Sequence, residues 1–129
     1  MAHIGFTPQA EHQLGGYRVQ GRGEAADALV ELAQEMEQAG AFALLLEMIP
    51  GEVAQRITSS VKIPTVGIGA GSECDAQVLV WQDMAGLRTG KLPRFVKQYA
   101  DMRTVLLEAA SAYIDDVRSG QFPGPEHTF

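Results

Sequence analysis

The sequence predicts an α/β fold in which a parallel sheet alternates with helices. Short apolar runs bounded by glycine, proline or acidic residues are typical of buried strands. Between them lie segments whose apolar residues recur every three or four positions, as in amphipathic helices. The resulting order of strand, helix, strand, helix, strand implies parallel pairing with right-handed crossovers.

The predicted strands are short and of the buried type. We expect them at residues 41–48, 65–68 and 77–81, with a further, truncated strand at residues 2–5. Helices are predicted at residues 24–38, 51–60 and 102–118, where apolar positions form one stripe. The C-terminal segment 120–127 is too rich in proline and glycine for regular structure.

Size and composition narrow the classes of function. The 129 residues suffice for one domain or part of one, about half of the roughly 250 residues of a closed eight-stranded α/β barrel. A formal charge of -6 argues against a nucleic-acid partner. No apolar stretch approaches the ~18 residues of a membrane span. A lone Cys74 and the lack of a visible leader favour a cytoplasmic location.

Glu47 is the first candidate for a catalytic residue. It ends the apolar run 41–46 and precedes Met48 and Pro50. Parallel α/β folds place their chemistry at the carboxyl ends of strands, so this position suits a catalytic base. Acidic residues are also favoured near helix N-termini, and the equal alternative is that Glu47 caps the next helix.

Two glycine-rich segments and one histidine complete the set of candidates. The segment 67–72 lacks the spacing of a dinucleotide fingerprint, and close backbone approach to a ligand or a neighbouring loop fits it better. The segment 15–23 is either a functional loop or a surface connection. His3 can bind a substrate oxygen or orient a base, although a lone histidine more often has a structural role. Asp75 and Asp83 are either loop caps or site residues.

Five motifs occur in an order that resembles one known family. They are His3-Ile4-Gly5-Phe6-Thr7-Pro8-Gln9, Gly15-Gly16-Tyr17-Arg18-Val19-Gln20-Gly21-Arg22, Leu46-Glu47-Met48-Ile49-Pro50, Ile63-Pro64-Thr65-Val66-Gly67-Ile68-Gly69-Ala70-Gly71 and Phe122-Pro123-Gly124-Pro125-Glu126-His127. With them the chain closely resembles the C-terminal half of ketopantoate hydroxymethyltransferase, and the resemblance covers essentially all residues.

The resemblance implies a fold and a reaction. Residues 1–129 are expected to form a single partial domain, the C-terminal half of a (βα)8 TIM-type barrel with its terminal helix and Pro/Gly-rich tail. The family transfers a one-carbon unit from 5,10-methylenetetrahydrofolate to 3-methyl-2-oxobutanoate, giving 2-dehydropantoate on the route to pantothenate and coenzyme A. By resemblance Glu47 matches the catalytic base and His3 lines the substrate pocket. The family depends on Mg²⁺, whose ligands are expected outside this chain.

Two positions depart from the family pattern. Met48 stands where the family usually has cysteine, and Ala76 where it usually has glycine. Because the metal-binding aspartates and a substrate lysine belong to the other half, we expect no activity from this chain alone. We expect a homo-oligomer or a complementing N-terminal half-barrel as partner. The alternatives are a non-catalytic half-barrel that assembles or binds keto acid or folate, and an unrelated enolate-forming lyase.

Overall fold

A computed structural model describes all residues, 1–129, of the chain. Four strands and four α-helices occur in this order: β1 Ala2–Gly5, α1 Ala25–Gln38, β2 Leu44–Glu47, α2 Gly51–Ser60, β3 Thr65–Ile68, β4 Ala76–Gln77, α3 Trp81–Met84 and α4 Met102–Ser119. Two short 3-10 helices lie at Pro8–Ala10 and Pro125–His127. The structure contains no helix with the length and hydrophobicity that a bilayer crossing requires.

The four strands form one parallel sheet in the order β1-β2-β3-β4. In the register, Gly5 lies opposite Glu47 and Glu47 lies opposite Ile68, so the last residues of three strands are aligned at one edge. The expected alternation of parallel strands with helices is confirmed. The carboxyl-terminal edge of the sheet is therefore where residues from successive strands meet.

One face of this sheet is covered by α1 and α2. Its apolar side chains alternate along the strands and pack with those of the two helices in a single cluster that includes Ile4, Leu44, Leu46, Ala33, Val53, Ala54 and Ile57. Several of these are fully buried. Burying a side chain of this size contributes about 1.5–3 kcal/mol, so the cluster is the main source of stability for the sheet.

The bounds of most elements agree with the sequence. β3 and α2 match their predicted ranges, and α1 begins one residue later than expected. β2 begins at Leu44 rather than residue 41, because the chain at Gly40 still completes the end of α1. The N–H of Ala41 donates to Met36 O and that of Gly40 to Glu37 O, with Gly40 at φ 95°, which is a Schellman motif.

The prediction of a strand at residues 77–81 is wrong for most of these residues. Only Ala76–Gln77 pair with β3, both are exposed, and Trp81 already begins α3. Val78 makes the last ladder bond, from its N–H to Gly67 O. A short apolar run occurs both in strands and in segments that lead into a helix, so the sequence alone does not distinguish the two. Val78 and Val80 are about half exposed, unlike the residues of a buried strand.

The chain divides into two compact units, Met1–Leu79 and Val80–Phe129. The first holds the sheet with α1 and α2. The second contains α3 and α4, of which α4 confirms the predicted helix. Asp101 caps α4 by accepting from the N–H of Thr104, and Gly120 ends it in the left-handed conformation. That residues 1–129 form a single partial domain stays a prediction.

Candidate functional site

His3 and Glu47 meet on two neighbouring strands. His3 Nε2 lies 2.9 Å from Glu47 Oε2, although the residues are 44 positions apart in sequence. The side chains are 27% and 13% exposed, respectively. When Nε2 carries the proton, the imidazole donates to the carboxylate and fixes its orientation. The structure thus brings together the two residues that the sequence singled out.

The pair lies on the sheet face that the helices do not cover. Side chains alternate between the two faces of a strand, so His3 points away from the buried Ile4, and Glu47 away from the buried Leu46. Leu45 and Val66 share the same face and are only half-buried. Leu45 and Val66 are therefore apolar neighbours of Glu47 on this face of the sheet. The carboxylate of Glu47 remains partly accessible to solvent, as a base acting on a substrate requires.

Glu47 does not cap the following helix. The N-cap of α2 is Pro50, and no side chain accepts a hydrogen bond there. The carboxylate of Glu47 is instead directed at His3. The alternative interpretation of Glu47 as a helix cap is therefore wrong, and its role as a catalytic base stays a prediction.

Gly5 permits the close approach of the two strand ends at this edge. Its φ is +90°, and a Cβ at this position would lie 2.3 Å from Glu47 O. The same carbonyl accepts a hydrogen bond from the N–H of Phe6 at 2.8 Å. Because only glycine fits this conformation and this space, the backbone that carries Glu47 is held directly against the end of β1.

Met48 adopts a left-handed conformation with φ 49°, the only non-glycine residue with positive φ. Its N–H donates to Ile68 O and its carbonyl accepts from the N–H of Gln20. A methionine in this region costs roughly 1–2 kcal/mol, which the surrounding hydrogen bonds offset. The residue after Glu47 is thus fixed between β3 and the segment 15–23.

The segment 15–23 is attached to this edge at two points. Besides the Gln20 to Met48 bond, the ring of Tyr17 lies 4.6 Å, centroid to centroid, from that of Phe6, which is fully buried. Gly21 allows the segment to turn against Leu29 of α1. The segment therefore packs against the carboxyl-terminal edge of the sheet, and whether it is a functional loop or a surface connection stays open.

The glycine-rich segment 67–72 serves close packing of backbone. A Cβ on Gly71 would lie 2.9 Å from the Cα of Gly51, the first residue of α2. A Cβ on Gly67 would lie 2.9 Å from Cys74 Sγ. The neighbouring backbone at Gly51 is thus one partner of this segment, and the chain continues into a strand rather than a helix.

Asp75 lies at the opposite, amino-terminal end of β3 from the strand-end residues. Its Oδ2 accepts from the backbone N–H of Thr65 at 2.8 Å and from Thr65 Oγ1 at 3.0 Å. These hydrogen bonds, the backbone one foremost, lower the pKa of Asp75. Next to it, partial burial raises the pKa of the Cys74 thiol. Asp75 is a loop cap, and the sequence offered no signal to decide this.

Asp83 is placed in the second unit, on α3, where it is buried and lies 3.4 Å from Arg88 Nη1. No group of three or more histidine, cysteine, aspartate or glutamate side chains is arranged to hold a metal ion. The Glu47 carboxylate at the end of β2 and the His3 ring on β1 form the candidate chemical pair of this sheet. Sequence reasoning missed the left-handed conformation of Met48 and the hydrogen bond from the N–H of Gln20 to its carbonyl. Both depend on strand register and backbone conformation, which the sequence pattern does not show.

Comparisons with known proteins show the family of this chain. The family model of ketopantoate hydroxymethyltransferase matches residues 1–125. The chain is 70% identical to the 3-methyl-2-oxobutanoate hydroxymethyltransferase of Nocardioides sp. over 129 residues, all of this chain and 44% of that protein. It is 65% identical to the protein of the same name from Paenarthrobacter aurescens, covering 43% of it. The chain thus spans less than half the length of these relatives, and it belongs to the ketopantoate hydroxymethyltransferase family.

Proposed function

We propose that this chain supplies the catalytic base of a 3-methyl-2-oxobutanoate hydroxymethyltransferase. The observation that carries the proposal is the hydrogen bond, 2.9 Å long, between the carboxylate of Glu47 at the carboxyl end of β2 and the ring of His3 on the adjacent parallel strand β1. Family membership supports the reaction class, and the names of the relatives supply the keto acid. The one-carbon donor is 5,10-methylenetetrahydrofolate, and the product is 2-dehydropantoate.

In the proposed reaction Glu47 removes the proton from C3 of 3-methyl-2-oxobutanoate. The electron pair left on C3 then forms the carbon–carbon bond to the methylene carbon of the folate, as the bond from that carbon to one folate nitrogen breaks. Water displaces the second nitrogen and supplies the hydroxyl group of the product. Tetrahydrofolate leaves, its two nitrogens having taken up the proton removed from C3 and one proton of the water. A carboxylate is a weak base in water, so partial desolvation and a fixed orientation are what the site has to provide. Leu45 and Val66 supply apolar surroundings, and His3 holds one carboxylate oxygen while the other stays available.

The residues of this chain do not form a magnesium site by themselves. Magnesium in proteins takes oxygen ligands, usually one or two carboxylates with several waters. Glu47 is bonded to His3, and no cluster of acidic residues surrounds it. We propose that the ligands of the family's Mg²⁺ come from the part of the family sequence that this chain does not span, and no step above passes through the ion.

The sheet supports a second part of the proposal, that residues 1–129 form half of a (βα)8 barrel. Its strands are parallel and consecutive, one face is covered by helices, and the other carries His3 and Glu47. In such barrels the uncovered face lines the interior, and catalytic groups lie at the carboxyl ends of strands. The remaining strands would then complete both the interior and the substrate site.

A chimeric enzyme tests the base. The matched segment of the Nocardioides protein is replaced by residues 1–129, and loss of the C3 proton of 3-methyl-2-oxobutanoate in D2O is followed by NMR together with turnover. Glu47→Gln should slow both by about 10²- to 10⁴-fold, the range of a general base. Glu31→Gln, on the exposed surface of α1, is the matched control and should leave both rates unchanged.

Retention of exchange in Glu47→Gln would reject the proposed role. A chimera that binds keto acid but catalyses no exchange with Glu47 intact would favour the non-catalytic binding module instead. The same assay on the 129-residue chain alone should show no turnover, because the lysine and magnesium ligands expected of the family are not supplied.

A further inference from the structure

Ile68 is buried without belonging to the core of the first unit. Only 9% of it is exposed, yet it is absent from the apolar cluster that fills the space between the sheet and its two helices. Alternation along β3 explains this, because Thr65, three residues earlier, points toward α2 and shares a hydrogen bond with the hydroxyl of Thr58. The side chain of Ile68 therefore lies on the opposite face of the sheet, the face that carries Glu47.

The row of residues at the level of Glu47 is asymmetric. Its register partners are Gly5 on β1 and Ile68 on β3, one on each side. Neighbouring strands lie about 4.8 Å apart, so both partners are close enough to flank a molecule that touches the Glu47 carboxylate. Within this row, one flank of the carboxylate carries no side chain, and the other carries a branched aliphatic one.

The keto acid of the proposed reaction is asymmetric in the same sense. Its C3 bears the proton that Glu47 removes, with methyl groups on one side and the keto and carboxylate groups on the other. A methyl group gains free energy from contact with an aliphatic side chain, whereas a keto oxygen or a carboxylate placed against Ile68 loses hydrogen bonds to water. With C3 at the Glu47 carboxylate, the favoured orientation is therefore the one in which the alkyl side faces Ile68.

We propose that Ile68 is a specificity-determining residue, which contacts an alkyl group on C3 of the keto acid and limits its size. The keto and carboxylate groups then lie on the side of Gly5. Ile68 takes no part in bond making, and it sets which branched keto acids place C3 within reach of Glu47. This inference rests on the proposed function, because that function places C3 at Glu47.

The exchange of the C3 proton in D2O, followed by NMR in the chimera, tests this assignment. The substrates are 3-methyl-2-oxobutanoate and the two separate C3 enantiomers of 3-methyl-2-oxopentanoate, which carry one more methylene group. One methylene group in a hydrophobic pocket changes kcat/KM by about 10- to 200-fold. Because Ile68→Val makes room for one such group, it should raise kcat/KM for one enantiomer about 10-fold or more relative to 3-methyl-2-oxobutanoate.

The two enantiomers distinguish a direct contact from a general loosening of the site. When the C3 proton points to Glu47 and the keto group lies on the side of Gly5, only one of the two alkyl groups on C3 is nearest to Ile68. Ile68→Val should therefore favour the enantiomer whose ethyl group takes that place and leave the other nearly unchanged. An equal gain for both enantiomers, or a gain for neither, would overturn the proposal.

Ile57→Val is the matched control. It makes the same change at a fully buried isoleucine of α2, on the helix-covered side of the sheet, and should leave the preference among the three keto acids unchanged. Each preference is a ratio measured on one preparation, so a partly unfolded fraction cancels. The same shift in Ile57→Val as in Ile68→Val would show that core packing sets the preference, and it would overturn the assignment of Ile68.

Glu47→Gln separates this inference from the proposed function. If Glu47→Gln abolishes exchange while Ile68→Val leaves the preference among keto acids unchanged, the assignment of Ile68 alone is wrong. If exchange survives in Glu47→Gln, the proposed function is wrong, and the assignment that rests on it is wrong as well.

Discussion

The two units of the chain bury their apolar side chains to very different extents. In Met1–Leu79, Leu44, Leu46 and Ile57 are completely inaccessible to solvent. In Val80–Phe129, the stripe of α4 that includes Leu106 and Val117 remains 54% and 46% exposed at these two residues. An amphipathic pattern therefore predicts that a helix forms, whereas its burial depends on a partner surface that the pattern does not name.

The largest expected effect comes from adding a methyl group at a crowded glycine of the first unit. Gly5→Ala places a Cβ 2.3 Å from Glu47 O and 2.6 Å from Ile49 Cγ2, at φ +90°. Combining steric overlap with backbone strain, we expect a loss of about 3–5 kcal/mol in the free energy of unfolding, measured by urea denaturation.

Gly120→Ala is the matched substitution in the second unit. Gly120 has a similar φ of +76° but no atom within 4 Å of the added Cβ, so only the backbone cost of about 1–2 kcal/mol remains. Equal losses in the two variants would show that the contact with Glu47 O does not constrain Gly5.

Truncation of apolar side chains compares the two units directly. Leu46→Ala removes a fully buried side chain from the core cluster, and we expect a loss of about 2–5 kcal/mol in unfolding free energy. Leu106→Ala, on the exposed stripe of α4, should change it by less than about 0.5 kcal/mol. A loss at Leu106 as large as that at Leu46 would show that the stripe is buried in solution.

A smaller effect is expected at the strained residue next to the base. Met48→Val places a β-branched side chain at φ 49°, and we expect about 1–2 kcal/mol of lost stability together with slower exchange in the chimera. Met84→Val, on α3 of the second unit, should cost only a few tenths of a kcal/mol, since helix propensities differ little. Normal exchange in Met48→Val would mean that this turn does not position Glu47.

The smallest effect is a pH dependence in the two capping aspartates. The pKa of Asp75 is lowered by the backbone N–H of Thr65, and that of Asp101 by the side chain of Thr104. A carboxyl group with a depressed folded-state pKa stabilises the fold above its ordinary pKa of 3.8, and this contribution is lost as pH falls through the folded value.

Urea midpoints between pH 7 and pH 2 measure this dependence. Asp75→Asn and Asp101→Asn should each lower stability at pH 7 and reduce its decline on acidification. A decline identical to that of the unchanged protein would show that the hydrogen bonds to these carboxylates do not persist in solution.

The sequence predicted the fold of the first unit better than its site. Regular periodicity and flanking proline and glycine located α2 and β3 at their observed bounds. The run after Gln77 predicts a strand wrongly because its four consecutive apolar residues, 78–81, show no periodicity that would distinguish a strand from a helix. Glu47 was found from its place at a strand end, but its contact with His3 depends on the register of strands far apart in sequence. The left-handed Met48 has no sequence signal, since methionine does not favour that conformation.

The consecutive strand order has a consequence for how the molecule is made. Each strand pairs with the next strand in the chain, so new strands are added at one edge of the sheet. No pair of strands has to separate to let a later strand insert between them. The hydrogen bond between His3 and Glu47 joins the first two strands, so its geometry is complete once they pair. The His3 and Glu47 pair therefore depends on the pairing of β1 with β2 and not on that of β3 with β4.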